Sequence, residues 1–296
     1  MKRTAVVTAS TAGIGLETAL GLAAAGHAVT VVGRDPDRGA RAVERINATG
    51  PAHPARFLAA DLASLDEVRA LADRLAAEHA ASGERLDVLV NNVGAMFADR
   101  HSLGGVEASF LVNHLSPYLL TELLLPTLTA AAPSRIVNVT SGAVGVAKRV
   151  FDDVEPPGGY YGFHWYGRAK LANLAYTLDL AARLDGTGVS VFAADPGGAA
   201  TDMTDGTLTD PKIVTPALRL MWPLVRRKFE RSTSGPASVA ARPSIAAATD
   251  RALTGRTGLV IGARATPVAP FRAATDPRIA GAVRRLSERH APLVTP

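Results

Sequence analysis

Short apolar runs recur along the chain, each followed by a longer stretch whose apolar positions repeat at helical spacing. The runs near 4–8, 28–33, 55–60, 86–91, 134–140, 188–194 and 257–262 predict strands. The stretches 13–25, 36–47, 64–80, 105–130, 164–184 and 236–248 predict helices. Such alternation predicts an α/β protein built on one doubly wound, parallel sheet of roughly seven strands with helices on both faces. No internal repeat or linker divides the 296 residues, so 1–296 is expected to form a single domain. The stretch from about 202 to 235 breaks the rhythm. It holds Leu218, Leu220, Met221, Trp222 and Leu224 beside Arg226-Arg227-Lys228 and three prolines. An insertion at the carboxyl end of such a sheet lies where these folds bind ligands. It is expected to be a substrate lid placed before the last helix, the alternative being a packing or subunit-contact segment.

Two local patterns suggest chemistry. The first strand runs into Ala9-Ser10-Thr11-Ala12-Gly13-Ile14-Gly15 and then a helix. Small residues there let the backbone approach a pyrophosphate, and the free N–H groups of the helix start point towards it. Further on, Tyr166-Gly-Arg-Ala-Lys170 places a phenol and an ammonium on one helical face. A phenol has an unperturbed pKa of roughly 10, and a fixed positive charge beside it favours the phenolate. Taken alone, the pair also fits a helix that merely carries an aromatic and a solvated lysine.

Together these segments resemble the short-chain dehydrogenase/reductase family over most of the chain. The family's Thr-Gly-x-x-x-Gly-x-Gly turn corresponds to Thr8, Ala9, Gly13 and Gly15, with alanine in the first glycine position. Asp61-Leu62, Asn91-Asn92-Val93-Gly94, Asn113, Ser141, Tyr166, Lys170, Pro196-Gly197 and Thr201 follow in family order. Val-Gly-Arg-Asp at 32–35, Tyr-Gly-Arg-Ala-Lys-Leu-Ala-Asn at 166–173, Phe151-Asp152-Asp153 and a late Leu-Ser-Glu-Arg resemble retinol-dehydrogenase-like members, which does not make retinol the substrate.

The resemblance implies a Rossmann fold and an oxidoreductase acting between a nicotinamide and a carbonyl or alcohol of a bulky, largely apolar molecule. It implies four catalytic side chains. Tyr166 would exchange the proton and Ser141 would hold the substrate oxygen. Lys170 would lower the Tyr166 pKa and hold the nicotinamide ribose, and Asn113 would anchor a water in a proton relay through Lys170. Ser10, Thr11, Gly13, Ile14 and Gly15 would meet the phosphates, Asp61 and Leu62 would border the adenine, and Asn92 and Gly94 would also belong to the cofactor site. Pro196, Gly197 and Thr201 would shape the nicotinamide pocket. At the end of the second strand, Gly33 occupies the position of the acid that accepts from the ribose in NAD enzymes, and Arg34 follows. A guanidinium suits a 2′-phosphate, so NADP (NADPH) is expected rather than NAD. Asp35 would face the ribose if the register differed by one residue.

Composition narrows the alternatives. With no cysteine there is no disulfide or thiolate chemistry, and the scattered histidines show no metal-ligand spacing, so no metal is expected. The net charge of +5 is spread among interleaved acids without a basic stripe carrying stacking aromatics, so no nucleic-acid partner is expected. The apolar stretch 110–128 is interrupted by Asn113, His114, Pro117 and Glu122, so no stable membrane anchor is expected. A small-molecule substrate and a cytoplasmic setting are expected. Family members pair as homodimers or homotetramers through the helices holding Asn113 and Tyr166, and monomers occur. Two other functions fit the same sequence: an NADP-binding regulator without chemistry, and hydride chemistry serving an epimerisation. Regulators of that kind commonly lose the tyrosine or the lysine.

Overall fold

A computed structural model describes residues 2–155, 158–197, 210–224, 227 and 235–294. Its first half runs β1 (Arg3–Val7), α1 (Gly13–Ala24), β2 (His27–Gly33), α2 (Pro36–Asn47), β3 (Arg56–Ala59), α3 (Leu65–Ser82) and β4 (Arg85–Asn91). A two-stranded ribbon follows, β5 (Ser102–Leu103) and β6 (Val106–Glu107), then α4 (Ala108–Phe110), a π-helical turn Leu111–Leu115 and α5 (Ser116–Ala130). Next come β7 (Ser134–Val139), a 3₁₀ turn Gly142–Val146, α6 (Gly162–Arg183) and β8 (Val189–Ala194). The chain continues through α7 (Pro216–Arg219), α8 (Ala237–Ala240), α9 (Arg242–Thr249), β9 (Leu259–Ile261), β10 (Pro267–Val268) and α10 (Pro277–His290).

The main sheet has the order β3-β2-β1-β4-β7-β8-β9-β10, parallel except for β10, which runs antiparallel to β9. Strand order reverses between β1 and β4, which opens a crevice at their carboxyl ends. Side chains alternate across the sheet. Val6, Leu89, Ile136 and Val191 pack under α3, α5, α6 and α10, while Ala5, Val7, Val90 and Val137 pack under α1, α2 and α9.

The sheet has eight strands among the described residues rather than the expected seven, because Pro267-Val268 adds an antiparallel edge. The stretch expected as helix 105–130 begins instead as β6. Gly104 and Gly105 take positive φ values of 57° and 82°, turning the chain back into the ribbon, and Glu107 then caps α4. The helix expected at 236–248 is divided into α8 and α9. The helices directly after the segment 202–235 are not the last, since α10 lies beyond them. Asp276 before Pro277, with an amphipathic run after them, are the start signals of α10, and they were legible.

Alpha-helix carboxyl ends emerge together at the edge of the sheet opposite the crevice, and arginines meet them. Arg3 donates to the Ala25 carbonyl at 3.1 Å, Arg85 to those of Ala131 and Pro133, and Arg135 to Ala247 and Asp250 at 3.0 and 2.9 Å. Helix α10 lies against α6, where Arg284 pairs with Asp179, and reaches His114 through Ser287 at 2.7 Å. Burial holds His114 neutral, lowering its pKa to about 3. No helix among the described residues is long and apolar enough to cross a membrane.

Candidate active site

The crevice is tied shut at its base by β1 and β4. Thr8 Oγ1 accepts from the Asn92 and Val93 N–H groups at 3.0 and 3.2 Å. Asn92 Nδ2 returns two bonds, to the Thr8 and Ala9 carbonyls at 3.1 and 3.2 Å. A Cβ at Gly15 would lie 2.4 Å from the Ala9 carbonyl and 2.5 Å from Asn92 Nδ2, so the start of α1 sits directly on this knot. No side chain caps α1 and no acid stands in its first turn, which leaves its amino end open to an anion. Ala9 turns at φ 49°, a left-handed conformation that disfavours alanine by roughly 1–2 kcal/mol. Ala9→Gly is therefore expected to stabilise the protein by about 1 kcal/mol, less the extra freedom glycine gives the unfolded chain. A melting temperature unchanged or lowered would contradict that strain.

The 9–15 turn differs in one respect from expectation. Ser10 is fully buried; its Oγ donates to the Val7 carbonyl at 2.6 Å and accepts from the Val32 N–H at 3.2 Å. That hydroxyl is committed to joining β1 and β2, so it has no proton left for a phosphate. Thr11 lies over the end of β2, and a Cβ at Gly33 would come 2.7 Å from its methyl group. An acid at residue 33 would therefore require Thr11 to move. Asp35 is turned away: its carboxylate caps α2, accepting from Asp37 and Arg38 N–H groups at 2.9 and 3.1 Å. These bonds hold its pKa below the usual carboxylate range. Arg34, at the same strand end, is exposed. Asp61 Oδ1 accepts from the Ala63 N–H at 3.0 Å, and Leu62 packs into the core, so it offers this crevice its main chain.

Ser141, Tyr166, Lys170 and Asn113 converge at the carboxyl ends of β4 and β7. The Tyr166 hydroxyl faces Ser141, whose Oγ accepts from the Ala143 N–H at 3.2 Å. Burial pushes the Tyr166 pKa up to about 12, against the neighbouring Ser141 hydroxyl and with a contribution from the Asp195 carboxylate. Lys170 Nζ lies 6.0 Å from the Tyr166 ring centroid and donates to the carbonyls of Val93 and Val139, beyond β4 and at the end of β7, at 3.1 and 2.9 Å. Burial lowers its own pKa to about 7. The expected lowering of the phenol by Lys170 is thus reversed in the protein alone, because desolvation disfavours both charged forms. Gly94 follows the carbonyl that Lys170 holds.

Asn113 lies on the π-helical turn, fully buried. Its amide is spent: Oδ1 accepts from the Ala95 N–H at 3.1 Å, and Nδ2 donates to the Ala95 and Ser109 carbonyls at 2.7 and 2.9 Å. Its own carbonyl would bond to the N–H four residues on, but that residue is Pro117, which has none. The carbonyl accepts from Asn173 Nδ2 instead, at 2.9 Å. From there a buried polar ladder runs through Thr177, Asn138, Asn91 and Thr121. Asn173 and this ladder were missed in the sequence; the signal was a set of asparagines and threonines at otherwise apolar positions.

Beyond β8, Asp195 Oδ1 accepts from the Gly197 N–H at 3.0 Å, which fixes the turn through Pro196, with Gly197 at φ 73°. Burial raises the Asp195 pKa, and the Gly197 bond opposes it. Thr201 lies outside the described residues. His164 points away from the phenol and bonds the Val146 carbonyl through Nδ1 at 2.8 Å.

Comparison with known proteins places this geometry. The family model described as short chain dehydrogenase matches residues 3–212. Mouse retinol dehydrogenase 12 is 36% identical over 231 residues, covering 78% of this chain and 69% of the mouse protein. Human dehydrogenase/reductase SDR family member 13 is 40% identical over 197 residues, 66% of this chain and 51% of its own. The chain therefore spans about two thirds of the first relative and half of the second. Among solved structures, the Pseudomonas aeruginosa RhlG/NADP active-site complex superposes with a TM-score of 0.67 at 28% identity, covering 89% of this chain and 95% of that one.

Proposed function

The chain belongs to the short-chain dehydrogenase family, and on that premise we propose that it is an NADP-dependent oxidoreductase reducing a ketone or aldehyde of a bulky, largely apolar molecule. The observation that carries this reading is the convergence of the Ser141 and Tyr166 hydroxyls, Lys170 and the Asn113 carbonyl on one crevice. The close approach at Gly15 and the open amino end of α1 fit a dinucleotide pyrophosphate, and Arg34 beside a capped Asp35 fits a 2′-phosphate. When bound, the reduced nicotinamide supplies a hydride to the carbonyl carbon.

The chain's own residues handle the oxygen. Ser141 holds it by hydrogen bonding, aimed where negative charge develops. Tyr166 keeps its proton across the working pH range, being pushed up to about 12, and gives it to that oxygen. Lys170 leaves its two carbonyls to hold a ribose hydroxyl, and its ammonium then eases the phenolate left behind. The Asn113 carbonyl, with one bond from Asn173, has a second lone pair for a relay water. Oxidation uses the same groups in reverse. Within the segment read as a lid, Leu220, Met221 and Leu224 are 88%, 54% and 64% exposed, apolar area that closure over an apolar substrate would cover.

Titrating NADPH and NADH separately against wild type and Arg34→Ala tests the reading. NADPH is expected to bind tighter, and the substitution to weaken it by about 10- to 100-fold, the worth of charge-assisted bonds to phosphate, leaving NADH nearly unchanged. Equal affinities unaffected by the substitution would remove the NADP preference. Failure of both nucleotides to bind would remove the enzyme reading altogether.

A further inference from the structure

Two residues beyond Tyr166 on α6, Arg168 is a fully buried arginine with an unusual set of partners. Its guanidinium donates to three main-chain carbonyls of one segment: Nε to Val150 at 2.8 Å, Nη1 to Val154 at 3.1 Å and Nη2 to Asp153 at 2.5 Å. The rings of Phe110, Phe151 and Trp165 pack around it, their centroids 4.7, 5.0 and 5.8 Å from Cζ. Glu107, itself buried, faces it as the compensating charge. A planar fork that bonds in several directions while its faces lie on aromatic rings is something lysine cannot reproduce.

The segment it holds begins at Ser141. Along the same face of α6, a Cβ at Gly167 would stand 2.4 Å from the Ala143 carbonyl, and His164 bonds the Val146 carbonyl. Residues 143–154 are thus fastened to the helix that carries Tyr166 and Lys170, with Arg168 making the last and most numerous bonds. Beyond the clamp, Arg149, Val150, Phe151 and Asp152 form one wall of a cavity of 1030 Å³, with Phe271 and Ile279 opposite.

We propose that Arg168 is a positioning residue that clamps the 150–154 segment to the catalytic helix, holding at its far end the loop that leads out from Ser141, and so setting the enzyme's preference for bulky carbonyl substrates. The specificity part rests on the reductase reading; the clamp does not. Arg168 touches no reacting atom. Its loss would free the wall while the Tyr166 hydroxyl and the pH dependence it confers stay in place, and misplacement of a substrate by about 1 Å is enough to cost roughly 100-fold.

Arg168→Lys, Arg168→Met and Phe151→Leu separate the cases. Trypsin can cut after Lys148 and Arg149, beside the clamped segment. In Arg168→Lys and Arg168→Met, cleavage there is expected to accelerate about tenfold or more as local opening becomes easier, with NADPH affinity unchanged. With NADPH, KM for a bulky aromatic aldehyde is expected to rise about tenfold, KM for a short aliphatic aldehyde to change less than about threefold, and the pH–rate profile to stay put. Phe151→Leu should move in the same direction by a smaller factor. If Arg168→Met does not fold, Arg168→Lys and Phe151→Leu decide. Unchanged cleavage in folded variants would overturn the clamp. An equal fall in kcat for both aldehydes with unchanged KM would overturn the specificity role. A wild-type protein that reduced neither aldehyde would overturn the reductase reading, while the cleavage result would still decide the clamp.

Discussion

Tyr166→Phe is expected to lower kcat/KM by about 10²–10⁴-fold, the range of a positioned proton donor, with NADPH affinity kept. The phenyl ring keeps the buried volume and loses only the hydroxyl, so the loss reports the proton that the hydroxyl carries. In wild type the acid is pushed up to about 12 mainly by burial, so loss of the Tyr166 proton should not limit reduction until well above pH 9, and a fall at lower pH would report Lys170, whose amine burial lowers to about 7. Single-turnover reduction by the folded variant at the wild-type rate would end the assignment of Tyr166 as the donor.

Lys170→Met should cost turnover on a similar scale, about 10²–10⁴-fold, and it carries a second signature in the protein without cofactor. Burial lowers the amine to about 7 in the folded chain, while the unfolded chain keeps its proton up to the ordinary lysine value of 10.5. Between those values the unfolded state binds more protons, so stability rises with pH, by up to about 1.4 kcal/mol per unit. Below about 7 the amine is charged in both states, and the full penalty of the buried charge is present without slope. Tyr166 acts in the opposite sense only above the ordinary phenol value of 10. The usable window is therefore pH 7–10. Denaturant unfolding across it should show wild type gaining on Lys170→Met as pH rises. A constant difference would mean that the amine keeps its proton in the folded protein.

Much of this molecule was legible in its apolar rhythm. Strands β1 to β4 and β7 to β9 were marked by short apolar runs, and the crevice by Thr8, Gly13 and Gly15. What escaped the pattern has particular causes. β10 contributes a two-residue edge too short to carry a period. The ribbon before α4 hides inside a helical spacing that two left-handed glycines cancel. The candidate catalytic side chains sat in recognisable spacings, but the states of those groups did not. Whether Ser10 faces a phosphate or a neighbouring strand, and whether burial or a nearby ammonium governs the phenol, depends on contacts between residues far apart in the chain. Asn113 shows this most clearly: its residue type drew attention, yet the atom left available is a main-chain carbonyl that Pro117 releases.

The arginines at the far edge of the sheet change what the positive charge of the chain means. Each helix that ends there presents roughly half a negative charge on its last carbonyls, and Arg3, Arg85 and Arg135 are bonded to such ends. Dipoles of peptide groups do not titrate, so they balance these guanidinium groups locally without lowering the isoelectric point. An ion-exchange resin or a polyanion approaching that edge meets a weaker field than the residue count of +5 suggests. Its grip is set by the arginines that face water, and the basic character of the sequence is in part an internal fitting at one edge of a doubly wound sheet.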